Sequence, residues 1–212
     1  MLAYLVSGIA YGFAAAVMPG PLCMYLLSQA VSHGWRRTLP AAFAPLFSDG
    51  PIAVLVLTVL SRVPPSLVKY LQILGGAFLL YLAHGAWKTW RRVRRTRRVD
   101  AADPLIGESG PNRFLKAAMV NWLNPNPYLG WSVFLGPAVI AGWRSSPPNG
   151  IALLIGFYAT IIATMIAMIV LFAAARTLGP RVRRTLIGLS AIALACLGVY
   201  QLWMGGVLLL IK

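Results

Sequence analysis

The chain has 212 residues, 59% of them hydrophobic and 11% charged, with a formal net charge of +15. Soluble domains are about 25% charged, so an ordinary soluble enzyme is excluded, as is a disordered tail; two cysteines, Cys23 and Cys196, exclude a disulfide-stapled secreted domain. Nineteen Lys and Arg stand against four acids, Asp49, Asp100, Asp103 and Glu108, an imbalance that points to nucleic acid in a soluble chain and reports topology in a membrane chain.

Transmembrane helices need about 20 mostly apolar residues, and here the charges delimit them. Nothing charged precedes Arg36, which places the first span within 2–31. That run is too long for the apolar part of a signal peptide and has no basic segment before it, so it reads as an uncleaved span. The second span, 39–60, holds one charge, Asp49. The third lies between Lys69 and Lys88, the fourth between Lys116 and Arg144, the fifth between Arg144 and Arg176, and the sixth between Arg184 and Lys212. The fold class is therefore all-α membrane protein with six transmembrane helices.

The basic residues sort by side. Arg36 and Arg37, nine residues from Lys88 to Lys116, and four from Arg176 to Arg184 lie in alternate connections, whereas Arg62, Lys69, Arg144 and Lys212 fall on the other face. The positive-inside rule makes the rich connections cytoplasmic and puts both termini outside, in a multi-pass plasma (inner) membrane protein. The long polar stretch 89–113 divides the chain into a three-helix unit, 1–88, and a second, 114–212. An odd number of spans per unit inverts one relative to the other, the 3+3 inverted-repeat plan of many secondary transporters. Internal similarity supports this weakly. Pro19-Gly20-Pro21 in the first span and Asn124-Pro125-Asn126-Pro127 in the fourth each open a unit, and Gly34 and Gly142 each precede the next basic residue.

Proline inside a helix removes a backbone hydrogen bond and clashes with the preceding turn. In hydrocarbon the freed groups are tolerated only where they face protein or a water-filled cavity. Helices 1 and 4 thus read as Pro-broken. The half-helix after each break offers free N–H groups to a carboxylate, and the half before it offers carbonyls to an ammonium. The alternative is two kinks that only shape packing. Asp49 is the one acid inside a span, flanked by Pro45, Ser48, Gly50 and Pro51. A charged carboxylate at the bilayer centre costs about 2.5–3.5 kcal/mol on insertion scales. Asp49 therefore faces the bundle interior, where it can hold a substrate ammonium or carry a coupling proton, or stays protonated against a kinked backbone. Asn121, Asn124 and Tyr128 are spaced to share one face of the fourth helix, with Asn126 pointing elsewhere. Asn124 and Asn126 suit either a polar solute or interhelical hydrogen bonds.

His33 and His84 have no acid or cysteine cluster beside them, so no metal site is expected, nor is a cofactor. The absence of a Ser-His-Asp grouping or phosphate loop gives no enzyme. The arginine run at 91–98 reads as a topology anchor touching anionic lipid, not as a nucleic-acid site.

These residues resemble the lysine exporter (LysE/RhtB) family of amino-acid exporters. The likeness starts at Pro19-Gly20-Pro21, passes Ser28, Gly34 and Arg36-Arg37 to Asp49, and takes in the Gly75-Gly76-Ala77-Phe78-Leu79-Leu80 segment and Asn124-Pro125. Asn126 stands where the family often has lysine. The resemblance implies efflux of a small amino acid or amino-acid-like solute, and the residues suggest exchange for protons at Asp49 by alternating access around Pro19, Gly20, Pro21, Asp49, Asn124, Pro125 and Asn126. It leaves a homodimer open. The wider clan also holds thiol-redox carriers, for which Cys23 beside the first break is the pointer, and metal-ion exporters. A subunit that scaffolds partners through the basic loop is a third reading.

Overall fold

A computed structural model describes residues 1–18, 20–58, 65–95 and 110–210, and among these the chain is helical with no strand. α1 (Leu2–Val17) stops where the Pro-Gly-Pro motif begins, and α2 (Pro21–His33) restarts on Pro21. Proline is tolerated in a first turn because its missing N–H would have no helical partner there. The two helices are bent by 66°. Gly34 closes α2 at φ +84°, its N–H bonded to the Ala30 carbonyl at 2.9 Å, a backbone conformation that glycine adopts without strain.

The chain re-enters through a short α3 (Trp35–Thr38), a 3-10 turn (Leu39–Phe43) and α4 (Ala44–Thr58), which carries Pro51 in its interior. Then come α5 (Pro65–Arg95) and α6 (Gly110–Trp122). A second break precedes α7 (Pro125–Gly130), which runs through a π-helical turn (Trp131–Leu135) into α8 (Gly136–Ser145). α9 (Pro147–Ala175), a 3-10 turn (Arg176–Leu178) and α10 (Pro180–Leu210) complete the chain. Three stretches are long and apolar enough to cross a membrane among the described residues, Trp35–Thr58, Pro147–Ala175 and Pro180–Val207, and the bent α1–α2 pair passes as a fourth. Large apolar side chains such as Val133, Phe134, Leu171 and Trp203 face outward, as lipid solvent allows and water disfavours.

Two helix pairs are zipped by glycine. On α1 and α9, a Cβ at Gly8 would collide with the Leu153 carbonyl, one at Gly12 would sit 2.5 Å from the Phe157 carbonyl, and one at Gly156 2.6 Å from that of Leu5. On α5 and α10, Gly76 and Gly198 each abut the other's carbonyl, at 2.8 and 3.0 Å from the added Cβ. Lipid tails are as apolar as leucine, so helices associate through such close packing and through interhelical hydrogen bonds. α4 packs on α6, and α2 on both α9 and α10.

The basic connections gather at one end of the bundle. Arg113 at the start of α6 donates to the Arg37 carbonyl at 3.1 Å, and Arg183 at the start of α10 donates to the Ser32 carbonyl at 3.3 Å. Trp90, near the end of α5, lies against Gly188 of α10. At the other end Tyr4 of α1 covers Gly142 beside the α8–α9 connection.

Some expectations shift. The stretch 89–113 is not all loop, because α5 continues through Arg95 and α6 starts at Gly110. Arginine is a good helix former, so the charges mark where an apolar span ends and not where the helix does. Gly142 lies inside α8 and is no counterpart of the Gly34 turn. Pro19, Arg97, Arg98, Asp100, Asp103 and Glu108 lie outside the described residues.

Candidate functional site

Asp49 is 4% exposed on α4, one turn before solvent-free Ile52 and two residues before Pro51. The Asn121 side-chain amide of α6 donates to Asp49 Oδ1 at 2.7 Å and to Ser48 Oγ at 2.7 Å. Ser48 Oγ donates in turn to the Ala44 carbonyl at 2.9 Å. The Trp122 indole N–H donates to the Ser48 carbonyl at 2.9 Å. The α4–α6 interface is thus held by side-chain hydrogen bonds to Ser48 and Asp49, where the α1–α9 and α5–α10 interfaces are packed on glycine. Trp131, from the π turn, and Tyr158 of α9 lie within interaction range of the same carboxyl. π turns inside helices recur at functional sites, and this one places a buried indole beside the only acid among the described residues.

The second break is built from its own residues. Asn124 adopts an extended backbone and caps α7, its side-chain oxygen accepting from the Asn126 N–H at 3.1 Å. The carbonyl of Asn121, left without a helical donor by Pro125, accepts from the Asn124 N–H at 3.3 Å. The Trp122 carbonyl accepts from the Tyr128 hydroxyl at 3.0 Å. The Leu123 carbonyl, to which Pro127 offers no N–H, faces α5, where a Cβ on Gly75 would collide with it. At the first break Gly20 caps α2 with an extended backbone and no side-chain hydrogen bond.

The two breaks meet. Pro21 from the first and Leu123 from the second line one narrow crevice with Val120 of α6, Gly75, Phe78 and Leu79 of α5, and Gln201 of α10, packed too tightly to admit a water molecule. Asp49 is not in its wall. It sits across α6, whose last turn offers Asn121 to Asp49 and Val120 and Leu123 to the crevice.

Of the residues singled out from sequence, Pro21 is therefore in the crevice and Gly20 beside it, while Asn124 and Pro125 are buried in the second break. Asn126 has an exposed side chain, and Pro19 is not among the described residues. Asn121, Asn124 and Tyr128 do not form one stripe, because the helix stops at Trp122 and the register is lost. Cys23 and Cys196 are free thiols, one on α2 and one exposed on α10. The sequence offers Gly75 and Phe78 only as part of the family likeness, and gives no signal for Gln201, Trp122 or Trp131 short of the assembled bundle.

The chain is 29% identical over 166 residues, 78% of its length and 79% of the relative's, to the chemotactic transduction protein ChpE of Pseudomonas aeruginosa. No solved structure matches it. The sequence model of the LysE type translocators matches residues 13–205, and the chain accordingly belongs to the LysE type translocator family, whose members are membrane transporters, and exports a solute.

Proposed function

We propose that this translocator exports a small amino acid or amino-acid-like solute across the inner membrane in exchange for protons, with six spans arranged as a 3+3 inverted repeat. The carrying observation is the last turn of α6. It binds Asp49 through Asn121 on one face and walls the crevice through Val120 and Leu123 on the other. A proton arriving at Asp49 removes the charge assistance from the Asn121 bond and weakens it, and any movement of that turn reshapes the crevice.

The repeat is supported by the pairing of helices. Exchanging the halves carries the first span onto the fourth, the second onto the fifth and the third onto the sixth. The α1–α9 contact then maps onto α6–α4, α2–α10 onto α7–α5, and α5–α10 onto itself, and each of these contacts exists. Rocking of two such halves about a midplane site alternates access.

The orientation, termini outside, is supported by the clustering of Arg37, Arg113 and Arg183 at one end. Tryptophan-arginine stacks sit at the same end. Arg36 lies over Trp35 at 5.3 Å, Arg91 over Trp87 at 5.8 Å and Arg94 over Trp90 at 5.4 Å. Such pairs suit a headgroup layer rich in anionic lipid. The test is an intracellular metabolite profile. Deletion should raise, and overexpression lower, one small zwitterionic solute, and a profile unchanged in both directions would sink the reading.

A further inference from the structure

We infer that Trp131 is the positioning residue of Asp49: its indole N–H donates to the ionised carboxylate and lets go when a proton arrives, so that the second broken span follows the charge on α4. This rests on the proton-exchange reading above and adds the residue that reads the proton.

Trp131 is 4% exposed, and its Nε1 is buried with no hydrogen-bond partner. Buried indole N–H groups usually find an acceptor, and the Asp49 carboxyl is within interaction range of this one. An ionised carboxylate offers about four acceptor sites, of which the Asn121 amide takes one. The carboxylate therefore has room for the donor that Trp131 carries. The chain around the indole brings it there. Pro137 has no N–H for the Val133 carbonyl, and the Gly136 N–H reaches back to the Trp131 carbonyl, one residue further than in an α-helix, to close the π turn. A Cβ on Gly136 would collide with that carbonyl. The turn packs on α4, the helix that carries Asp49.

The two neighbours of Asp49 differ in what they can do. An amide has donors and an acceptor, so Asn121 can serve the ionised carboxylate with its N–H and the protonated one with its oxygen. An indole N–H only donates. Bonds to an ionised acceptor are about twice as strong as neutral ones, so protonation weakens the Trp131 bond and leaves Asn121 with a substitute. Trp131 thereby ties the charge on α4 to α7 and α8, as Asn121 ties it to α6. Of the titratable groups on the surrounding elements, Tyr158 of α9 is in range of the carboxyl and is a phenol, uncharged near neutral pH. The Tyr128 hydroxyl of α7 donates to the Trp122 carbonyl. On α6, Lys116 lies over the Tyr81 ring and Arg113 donates to the Arg37 carbonyl, about 7.5 and 12 Å along the helix axis from Asn121. Arg144, at the far end of α8, is exposed.

Difference infrared spectra of the full-length protein in lipid, wild type minus Asp49→Asn, follow the carbonyl stretch of protonated Asp49 across pH and need no solute. Taking a donor away from the charged form favours the proton, so Trp131→Phe should raise the titration midpoint by about one unit, a tenfold tighter proton. Trp122→Phe, which loses the bond to the Ser48 carbonyl, should lower the unfolding temperature and leave the midpoint unmoved. If Trp131→Phe does not fold, the indole N–H resonances of the wild type give the second reading: one should follow the Asp49 titration, persist in Trp122→Phe and stay still in Asp49→Asn. A Trp131→Phe midpoint equal to that of the wild type, or no indole that follows Asp49, overturns this inference alone. An Asp49 that does not titrate at all overturns the proton-exchange reading beneath it as well.

Discussion

The Asp49–Asn121 contact makes a quantitative prediction for a double-mutant cycle. Asn121→Ala removes two hydrogen bonds of 2.7 Å, one to a carboxylate oxygen and one to a hydroxyl. Bonds to charged groups contribute about 1.5–3 kcal/mol and neutral ones about 0.5–1.5 kcal/mol. Interhelical bonds in membranes average lower, about 0.6 kcal/mol and at most about 1.7, because the unfolded chain in lipid also finds partners. The expected loss is therefore about 2–3 kcal/mol. Asp49→Asn keeps an acceptor at the same position but exchanges a charge-assisted bond for a neutral one. In that background Asn121→Ala should cost about 1 kcal/mol less. Reversible unfolding in mixed lipid–detergent micelles, followed by tryptophan fluorescence, measures all four corners. Independent sites add to within about 0.5 kcal/mol, so additivity at that level would refute the claim that Asp49 and Asn121 form one unit.

Two further outcomes follow from the packing and the buried charges. Gly156→Ala should destabilise by about 1–3 kcal/mol, the usual cost of overpacking, because its Cβ meets the Leu5 backbone; Gly20→Ala, with nothing nearer than the Met18 carbonyl at 3.9 Å, should cost under about 1 kcal/mol. Arg183→Gln should lose about 2 kcal/mol in the same assay, since a buried guanidinium bonded to a carbonyl at the end of α2 is replaced by a shorter neutral group, whereas Arg36→Gln, at an exposed position, should change stability by less than about 0.5 kcal/mol.

The parts of this molecule that are local in sequence were legible there. Charge spacing delimited the apolar stretches that became α4, α9 and α10, and proline marked the ends of α1 and α6. Asp49 stood out because an acid in hydrocarbon must be explained. What could not be read depends on which helix faces meet. Gln201 in a membrane helix looks like interhelical glue until the bundle shows its oxygen bonded to nothing. Gly75 looks like one more packing glycine, similar to Gly76 beside it, until it is seen against Leu123 and not against α10. A stripe shared by Asn121 and Asn124 needs a helical register carried up to Asn124, and α6 ends at Trp122. The break rotates them apart and gives one to Asp49 and the other to the cap of α7. The basic stretch after Lys88 is helix as far as Arg95, because charge ends an apolar span without ending a helix.

Proton coupling through Asp49 is the central claim, and one reconstitution measures it directly. Liposomes holding a pH-sensitive dye and the wild-type protein are given an outward gradient of the exported solute, and internal acidification is followed beside solute counterflow. The wild type should move protons inward as solute leaves, and Asp49→Asn should retain solute counterflow while losing the proton signal. An Asp49→Asn protein that acidifies the lumen at the wild-type rate would contradict the account.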